Sequence, residues 1–330
     1  MPATQVQSEV VIAALQLACR APSLHNSQPW RWVATDRFVQ LFADPTRLAR
    51  STDPTGREAL VSCGAVLDHF RVAMSAAGWH TRVHRFPDPG NPLHLATIDF
   101  RSAPVSIEHT RRADAILLRR TDRLPLSAPP GWSDLADTLS QRAVPDAVRV
   151  DVIADDFRES VARASHVAQA LRAQDITYHS ELCWWTVDFT ASEGIPPNSL
   201  LSEAESGRVD IGRAFPPVAQ PERRAEIDDD RSKLLALSTL EDSRYSVLRC
   251  GEALSAVLLD AASAGMSTCT LTHITEAPAS RDIISSLLPG DAVPEALVRV
   301  GLAPAMGADP APTPRRPIEH VLQIHSGQTC

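Results

Sequence analysis

Arginine is the residue type with the clearest chemical use in this sequence. Arg119-Arg120-Thr121-Asp122-Arg123 follows a short apolar helical stretch, and Arg315-Arg316 follows Thr313-Pro314. A phosphate monoester carries about −1.5 to −2 charge near neutrality and three acceptor oxygens. Guanidinium forks meet such oxygens in pairs, and a hydroxyl such as that of Thr121 adds a donor. Each charge-assisted bond contributes roughly 1.5–3 kcal/mol net, so three such groups could anchor a phosphate cofactor. The same spacing fits a solvated helix end, where arginine is favourable without any ligand. The loop Pro22-Ser23-Leu24-His25-Asn26-Ser27-Gln28-Pro29 is a second candidate. Its side chains and amides suit the carbonyl and N–H edge of a heterocycle. Taken alone, it fits a turn leading into a strand at Trp30 better.

Other chemistries are excluded by what is missing. Lys233 is the only lysine among 32 basic residues, which argues against Schiff-base or P-loop chemistry. No two glycines stand as G-x-G, so neither a dinucleotide fingerprint nor a Walker loop is present. There is no G-x-S-x-G elbow and no H-E-x-x-H. The six cysteines are scattered without a C-x-x-C pair, which reads as reduced, mostly buried thiols in a cytoplasmic protein. His80 and His84 share a strand face and make a poor metal pair; no metal site is expected. A net charge of −8 argues against nucleic acid as a partner. No run of 18 apolar residues occurs and residues 1–19 hold no Lys or Arg, so neither a membrane span nor a basic leader is expected. With 44% hydrophobic and 22% charged residues in 330, the balance is that of a soluble globular protein.

These candidates need elements to position them. Val10, Ala14, Leu17 and Ala18 keep helical spacing, and Pro22 stops a helix over Gln7–Arg20. Trp30–Val33 and Phe38–Phe42 read as paired strands. Arg57–Ala77 is a long helix with Leu60, Leu67, Phe70 and Met74 on its apolar side, ended by Gly78. His80–Phe86 and Leu93–Phe100 are strands around a Pro/Gly turn. Helices are then expected at Arg112–Leu118, Phe157–Arg172, Tyr178–Val187 and Ser243–Ala264. Strands are expected at Val148–Ala154, Lys233–Ser238, Ser267–Thr272, Leu297–Leu302 and Glu319–Ile324. Ser127–Trp132 and Ala303–Pro317 are proline-rich breaks. Gly194–Asp230 has no clear period, and an irregular stretch of that length is usually functional or mobile.

An internal repeat runs through this pattern. Cys63–Gly78 aligns with Cys250–Gly265 at an offset of 187, with five identities in sixteen positions. Both segments are helices ended by glycine and followed by a strand. This points to a duplicated unit, with internal pseudo-two-fold symmetry standing in for a dimer interface.

Taken together, the strings Ala21-Pro-Ser-Leu-His-Asn-Ser-Gln-Pro-Trp30, Arg119-Arg-Thr-Asp-Arg123, the helix Arg249–Gly265 with Ser267–His273, and Leu297–Pro304 with Pro314-Arg-Arg-Pro317 resemble the nitroreductase family, nearest to its mycobacterial Acg-type branch. The resemblance implies an α+β fold of mixed, mainly antiparallel sheets flanked by helices. It also implies two pseudo-symmetric halves, at 1–110 and 111–330, and FMN at the seam between them. Arg119, Thr121 and Arg123, with Arg315 or Arg316, would grip the phosphate. Pro22, Ser23, Leu24 and Asn26 would contact the ring and ribityl chain. Thr272 and His273 fall where the family places a Glu-Gly pair, a departure from its pattern. The region near Tyr178–Trp185, matched to the asparagine loop, lacks its motif, so one FMN per chain is expected in a monomer. Two activities are open: a lid at 194–221, with Ile195, Leu200, Leu201, Ile211 and Phe215, holding FMN with little or no turnover, or NAD(P)H-dependent reduction of nitroaromatics or quinones.

Overall fold

The computed structural model describes residues 6–35, 37–186, 192–216, 218–304 and 311–325. Val187, Pro217, Cys330 and residues 305–310 of the proline-rich piece lie outside them. Helix α1 (Ser8–Ala18) buries Val11, Ala14, Leu15 and Ala18, so its inner face is turned about one residue from the expected stripe. Strands β1 (Trp30–Thr35) and β2 (Val39–Ala43) pair antiparallel as expected. Helix α2 (Arg57–Ala76) follows, then β3 (Trp79–Arg85) and β4 (His94–Ser102). Gly78 takes a left-handed φ of 84°, as a helix stop requires. Helix α3 (Ile107–Leu118) starts earlier than expected because Ser106 and His109 form a capping box. Residue 110, the expected dividing point, lies inside α3, which packs on both long helices.

The second set opens with α4 (Trp132–Ser140), a helix the sequence reading missed. It continues through β5 (Val148–Ile153), α5 (Arg158–Arg172), α6 (Ile176–Thr186) and the single turn α7 (Glu203–Ser206). Then come β6 (Lys233–Thr239), α8 (Arg244–Ser263), β7 (Ser267–Leu271), the short α9 (His273–Glu276) and α10 (Pro278–Ser285), also missed. Strand β8 (Val293–Gly301) begins four residues before its expected start. Only the last part of the expected terminal strand is extended, as β9 (Leu322–His325), after a 3-10 turn.

The strands form two sheets, ordered β3-β4-β2-β1-β9 and β7-β8-β6-β5. Four strands of each sheet thus match in order, with α2 and α8 in the same place, and every matched pairing is antiparallel. Both sheets carry a register shift at the same pairing, β2·β4 in one and β6·β8 in the other. By this match the counterpart of the Pro22–Pro29 loop is the α4–β5 connection at 141–147, not the Tyr178–Trp185 region; α6 belongs elsewhere. Strand β9 breaks the correspondence: it leaves the second set and pairs parallel with β1.

Helices α2 and α8 pack against each other at the centre. Their closest approach is at Gly64 and Gly251, which are one repeat offset apart. A Cβ on Gly64 would lie 2.8 Å from Gly251 Cα, and the reverse distance is also 2.8 Å. Nearby, Ser255 Oγ donates to Asp68 Oδ2 at 2.7 Å, again a pair separated by 187. Around this crossing a continuous core holds Trp30, Trp32, Phe70, Met74, Leu248 and Leu258. Among the described residues no helix is long and apolar enough to cross a membrane.

Backbone lies on both sides of the crossing, so an added methyl there cannot be absorbed by a rotamer change. Gly64→Ala or Gly251→Ala should each destabilise the protein by about 3 kcal/mol, the upper range for overpacking, measured by urea unfolding. Gly131→Ala, whose Cβ meets nothing within 4 Å, should cost less despite its positive φ.

Candidate functional site

The loop after α1 is held in an unusual conformation by its own hydrogen bonds. His25, Asn26 and Gln28 have φ of 50°, 58° and 52°, a region that non-glycine residues seldom occupy. Ser23 Oγ accepts from the Gln28 amide at 3.0 Å, and Ser62 Oγ on α2 accepts from the Leu24 amide at 3.1 Å. Asn26 Nδ2 donates to the carbonyls of Gly194 (2.9 Å) and Pro314 (3.1 Å). Gln28 Oε1 accepts from the Arg316 amide at 2.9 Å, and its Nε2 donates to Ser192 O at 2.9 Å. The loop therefore meets the irregular stretch on one side and the Arg315-Arg316 segment on the other. Asn26 Oδ1 and His25 Nε2 are buried and have no partner among the described residues.

The arginines converge beside this loop. Arg119 ends α3, is 6% exposed, and donates from Nη2 to the Arg20 carbonyl at 3.3 Å. Arg315 donates to the carbonyls of Cys19 (3.1 Å), Arg20 (3.1 Å) and Ala21 (3.3 Å), the orphan acceptors at the end of α1. The Arg20 side chain reaches Thr313 O at 3.1 Å. Among the described residues Arg20, Arg119, Arg120, Arg123 and Arg315 make carbonyl contacts and no carboxylate pair. The strain shows in their proton affinities. Burial, then Arg20 and Arg120, brings Arg119 down to about 10. Burial, then Arg119 and Arg20, holds Arg315 well below the ordinary arginine value. Burial, then Arg120, lowers Arg20 as well.

Two cavities meet at Arg123. One, of about 470 Å³, is lined by Arg119, Arg120, Thr121, Arg123, Ser199 and Thr313 among others. The second, of about 380 Å³, is lined by Arg123, Phe215, Leu271 and His273 with neighbouring residues. Thr121 is exposed at the first cavity, while Arg316 turns away to His320 O at 2.8 Å. Pro22, Ser23 and Leu24 are half-buried at the loop.

The irregular stretch lies across this region. Gly194 sits against the Trp185 carbonyl with φ 77°, and Ile195 N donates to that carbonyl at 2.7 Å. Ile195, Leu200 and Ile211 are buried, whereas Leu201 and Phe215 line the second cavity. Phe215 packs edge-on to His25 at 6.1 Å and lies under the Arg123 guanidinium at 5.1 Å. Arg213 fixes the far end. It is ion-paired to Glu276 and donates to Tyr178 Oη at 2.9 Å and Thr272 Oγ1 at 3.3 Å.

The "Putative NAD(P)H nitroreductase acg" of Mycobacterium tuberculosis is 58% identical over 327 residues, spanning 99% of both chains. The chain belongs to the nitroreductase family, in its Acg-type branch. A second "Putative NAD(P)H nitroreductase" of the same species is 38% identical over 325 residues, 96% of this chain and 92% of that one. A solved "putative nitroreductase" from Anabaena variabilis superposes with a TM-score of 0.50 at 10% identity, over 88% of this chain and 73% of the other, and so shares the nitroreductase fold. No family model matches the chain.

Thr272 and His273, which the resemblance aligns with a Glu-Gly or similar pair, stand at the start of α9. Thr272 Oγ1 donates to Glu58 Oε2 of α2 at 2.8 Å. His273 turns inward to Ser165 Oγ at 2.9 Å. At Arg85, one repeat offset before Thr272, β3 ends instead in a bidentate pair with Glu252, at 2.6 and 2.7 Å. The sequence reading missed Arg20, His25, Gln28, Glu58 and Arg213. Gln28 was visible in the loop string and Arg20 by its place just before it; nothing in the spacing marked Glu58 or Arg213.

His25 generates a pH prediction. Burial, then Arg213 and Arg123, holds its imidazole well below 6.5, so the folded protein keeps it neutral while the unfolded chain protonates. Its contribution is complete above that pH and is lost on acidification. His25→Asn suits the positive φ and removes the proton site. Below pH 6.5 the stability of the parent should fall more steeply than that of this variant, by about 1.4 kcal/mol per pH unit, in denaturant titrations across pH 5–7.

Proposed function

We propose that this chain holds one FMN at the seam between its two halves, beneath the 194–221 segment, with little or no turnover. The carrying observation is the group Arg20, Arg119 and Arg315, packed together beside the asparagine loop with no carboxylate among the described residues to neutralise it. Like charges at such separations are costly unless an anion joins them. A phosphate dianion supplies that charge, and Arg119 Nε is a buried donor still without a partner. Arg119, Thr121, Arg123 and Arg315 would take the phosphate; Arg316, turned to His320 O and toward Asp44, would not. Pro22, Ser23, Leu24 and Asn26 would meet the ring and ribityl chain, with Thr272 and His273 on the opposing wall. When bound, FMN supplies two-electron redox chemistry at its ring.

The chain's own part is to bind, orient and cover. The Arg123 guanidinium lies between the cavities, where it can stabilise negative charge on a bound ring. Phe215, Leu201 and the Asn26–Gly194 bond shut the outer side, which favours retention over exchange with a nicotinamide. The Arg85–Glu252 pair fills the matching place of the first half, which supports one FMN per chain. Since both walls come from one chain, a cytoplasmic monomer divided near residue 110 fits this reading. The alternative is an NAD(P)H-dependent oxidoreductase for nitroaromatics or quinones; the relatives' names, putative NAD(P)H nitroreductases, favour the nitroaromatic form of it.

Anaerobic reduction separates the two. Bleaching of the loaded flavin by dithionite but not by NADPH is expected; rapid bleaching by NADPH would establish the alternative. Arg119→Ala combined with Arg123→Ala should give folded, flavin-free protein, read from the absorbance spectrum and circular dichroism. Retained flavin in that variant, or two flavins per parent chain, would refute the assignment.

A further inference from the structure

Glu58 stands in the first turn of α2, between the two walls assigned above to the flavin ring. Its Oε2 accepts from Thr272 Oγ1 at 2.8 Å. Its Oε1 is buried with no partner among the described residues. One turn on, Ser62 Oγ donates to the Glu58 carbonyl at 2.8 Å and accepts from the Leu24 amide. The start of α2 therefore touches both the asparagine loop and the β7–α9 corner.

Three carboxyl groups gather here, and their partners differ. Asp53 lies at the start of α2, where its Oδ2 accepts from the Ala59 amide at 2.8 Å. Glu276 is ion-paired to Arg213, with Arg172 at 3.9 Å. Glu58 has only the Thr272 hydroxyl, with carboxyls on either side. An acid without a cation, in a dry place between like charges, keeps its proton. Burial, then Glu276, pushes Glu58 well above the ordinary carboxyl range; Arg213 and Thr272 oppose this and Asp53 adds to it.

We propose that Glu58 is the internal acid of the site, a positioning and proton-storing residue that acts through Thr272 Oγ1 on an acceptor bound at the flavin. The inference rests on the flavin site proposed above and on the alternative reading, in which an acceptor reaches the ring. For a quinone acceptor the balance is simple. The quinone takes up a hydride, which reduced FMN would supply when bound, and one proton. The Glu58–Thr272 contact reverses so that Glu58 donates: its O–H bond breaks, its proton passes to Thr272 Oγ1, and the Thr272 hydroxyl proton passes to the second quinone oxygen. Glu58 remains as a carboxylate until solvent returns a proton.

The test uses Glu58→Gln in the full chain, with Glu58→Asp as the conservative partner. Infrared spectra of the flavin-free protein at pH 7–8 should show a protonated carboxyl band that the Gln variant loses. Both variants should load FMN like the parent. After dithionite reduction, reoxidation by 1,4-benzoquinone should slow by about 100-fold in the Gln variant and recover with imidazolium buffer, while Asp restores part of the rate. A band that survives in the Gln variant overturns the proposal, as does a reoxidation rate that does not change. Failure of the parent to load FMN would overturn the flavin reading instead, and the infrared band does not depend on that loading.

Discussion

Two helices cross where neither carries a side chain, and the rest of the molecule is arranged around that crossing. Gly64 and Gly251 let α2 and α8 approach until backbone meets backbone, with each helix presenting the same turn to the other. Close packing at this density leaves no slack for a shifted register. The crossing therefore fixes how the two sheets face one another. It also brings the loop before β1 within reach of α6 and of the segment leading to β9. The Asp68–Ser255–His69 contacts next to it, at 2.7 and 2.8 Å, satisfy polar groups that the crossing buries.

The seam made in this way collects charge of one sign. α1 ends there, α3 ends there, and the chain returns there after β8, each bringing arginine. Carbonyl oxygens at the end of α1 offset part of the repulsion, since a helix C-terminus is partly negative. They are dipoles, however, and the guanidiniums remain depressed in proton affinity. Across the seam the opposite holds: Glu276 takes the Arg213 and Arg172 guanidiniums, while Asp53 and Glu58 have no ion pair among the described residues. A cofactor with an anionic tail and a polarisable ring matches both ends of this gradient.

Much of the frame was legible in the sequence, because periodicity and glycine stops report on local structure. The long helices α2 and α8, the paired β1 and β2, and the repeat all follow from short-range patterns. The missed helices α4 and α10 start beside Gly131 and at Pro278, signals that read equally as turns. The placement of the second asparagine-loop counterpart failed because it was sought by residue type; the strand order puts it at 141–147. Arg119, Arg123 and Arg315 could be read from spacing in the light of a family resemblance. Glu58 could not: Thr272 and Glu276 beside it lie over 200 positions away in sequence, and burial and like charge are tertiary facts. Arg213 was hidden for the same reason, in a stretch without period.

Both walls of the seam belong to one polypeptide, joined through the connection from β4 to β5. In an enzyme built from two separate subunits, dilution dissolves such a seam, and ligand affinity depends on protein concentration. Here the encounter of the walls is intramolecular, so its effective concentration is set by the tether. The seam should persist at nanomolar protein, and a scarce protein could retain a tightly held small molecule throughout its lifetime.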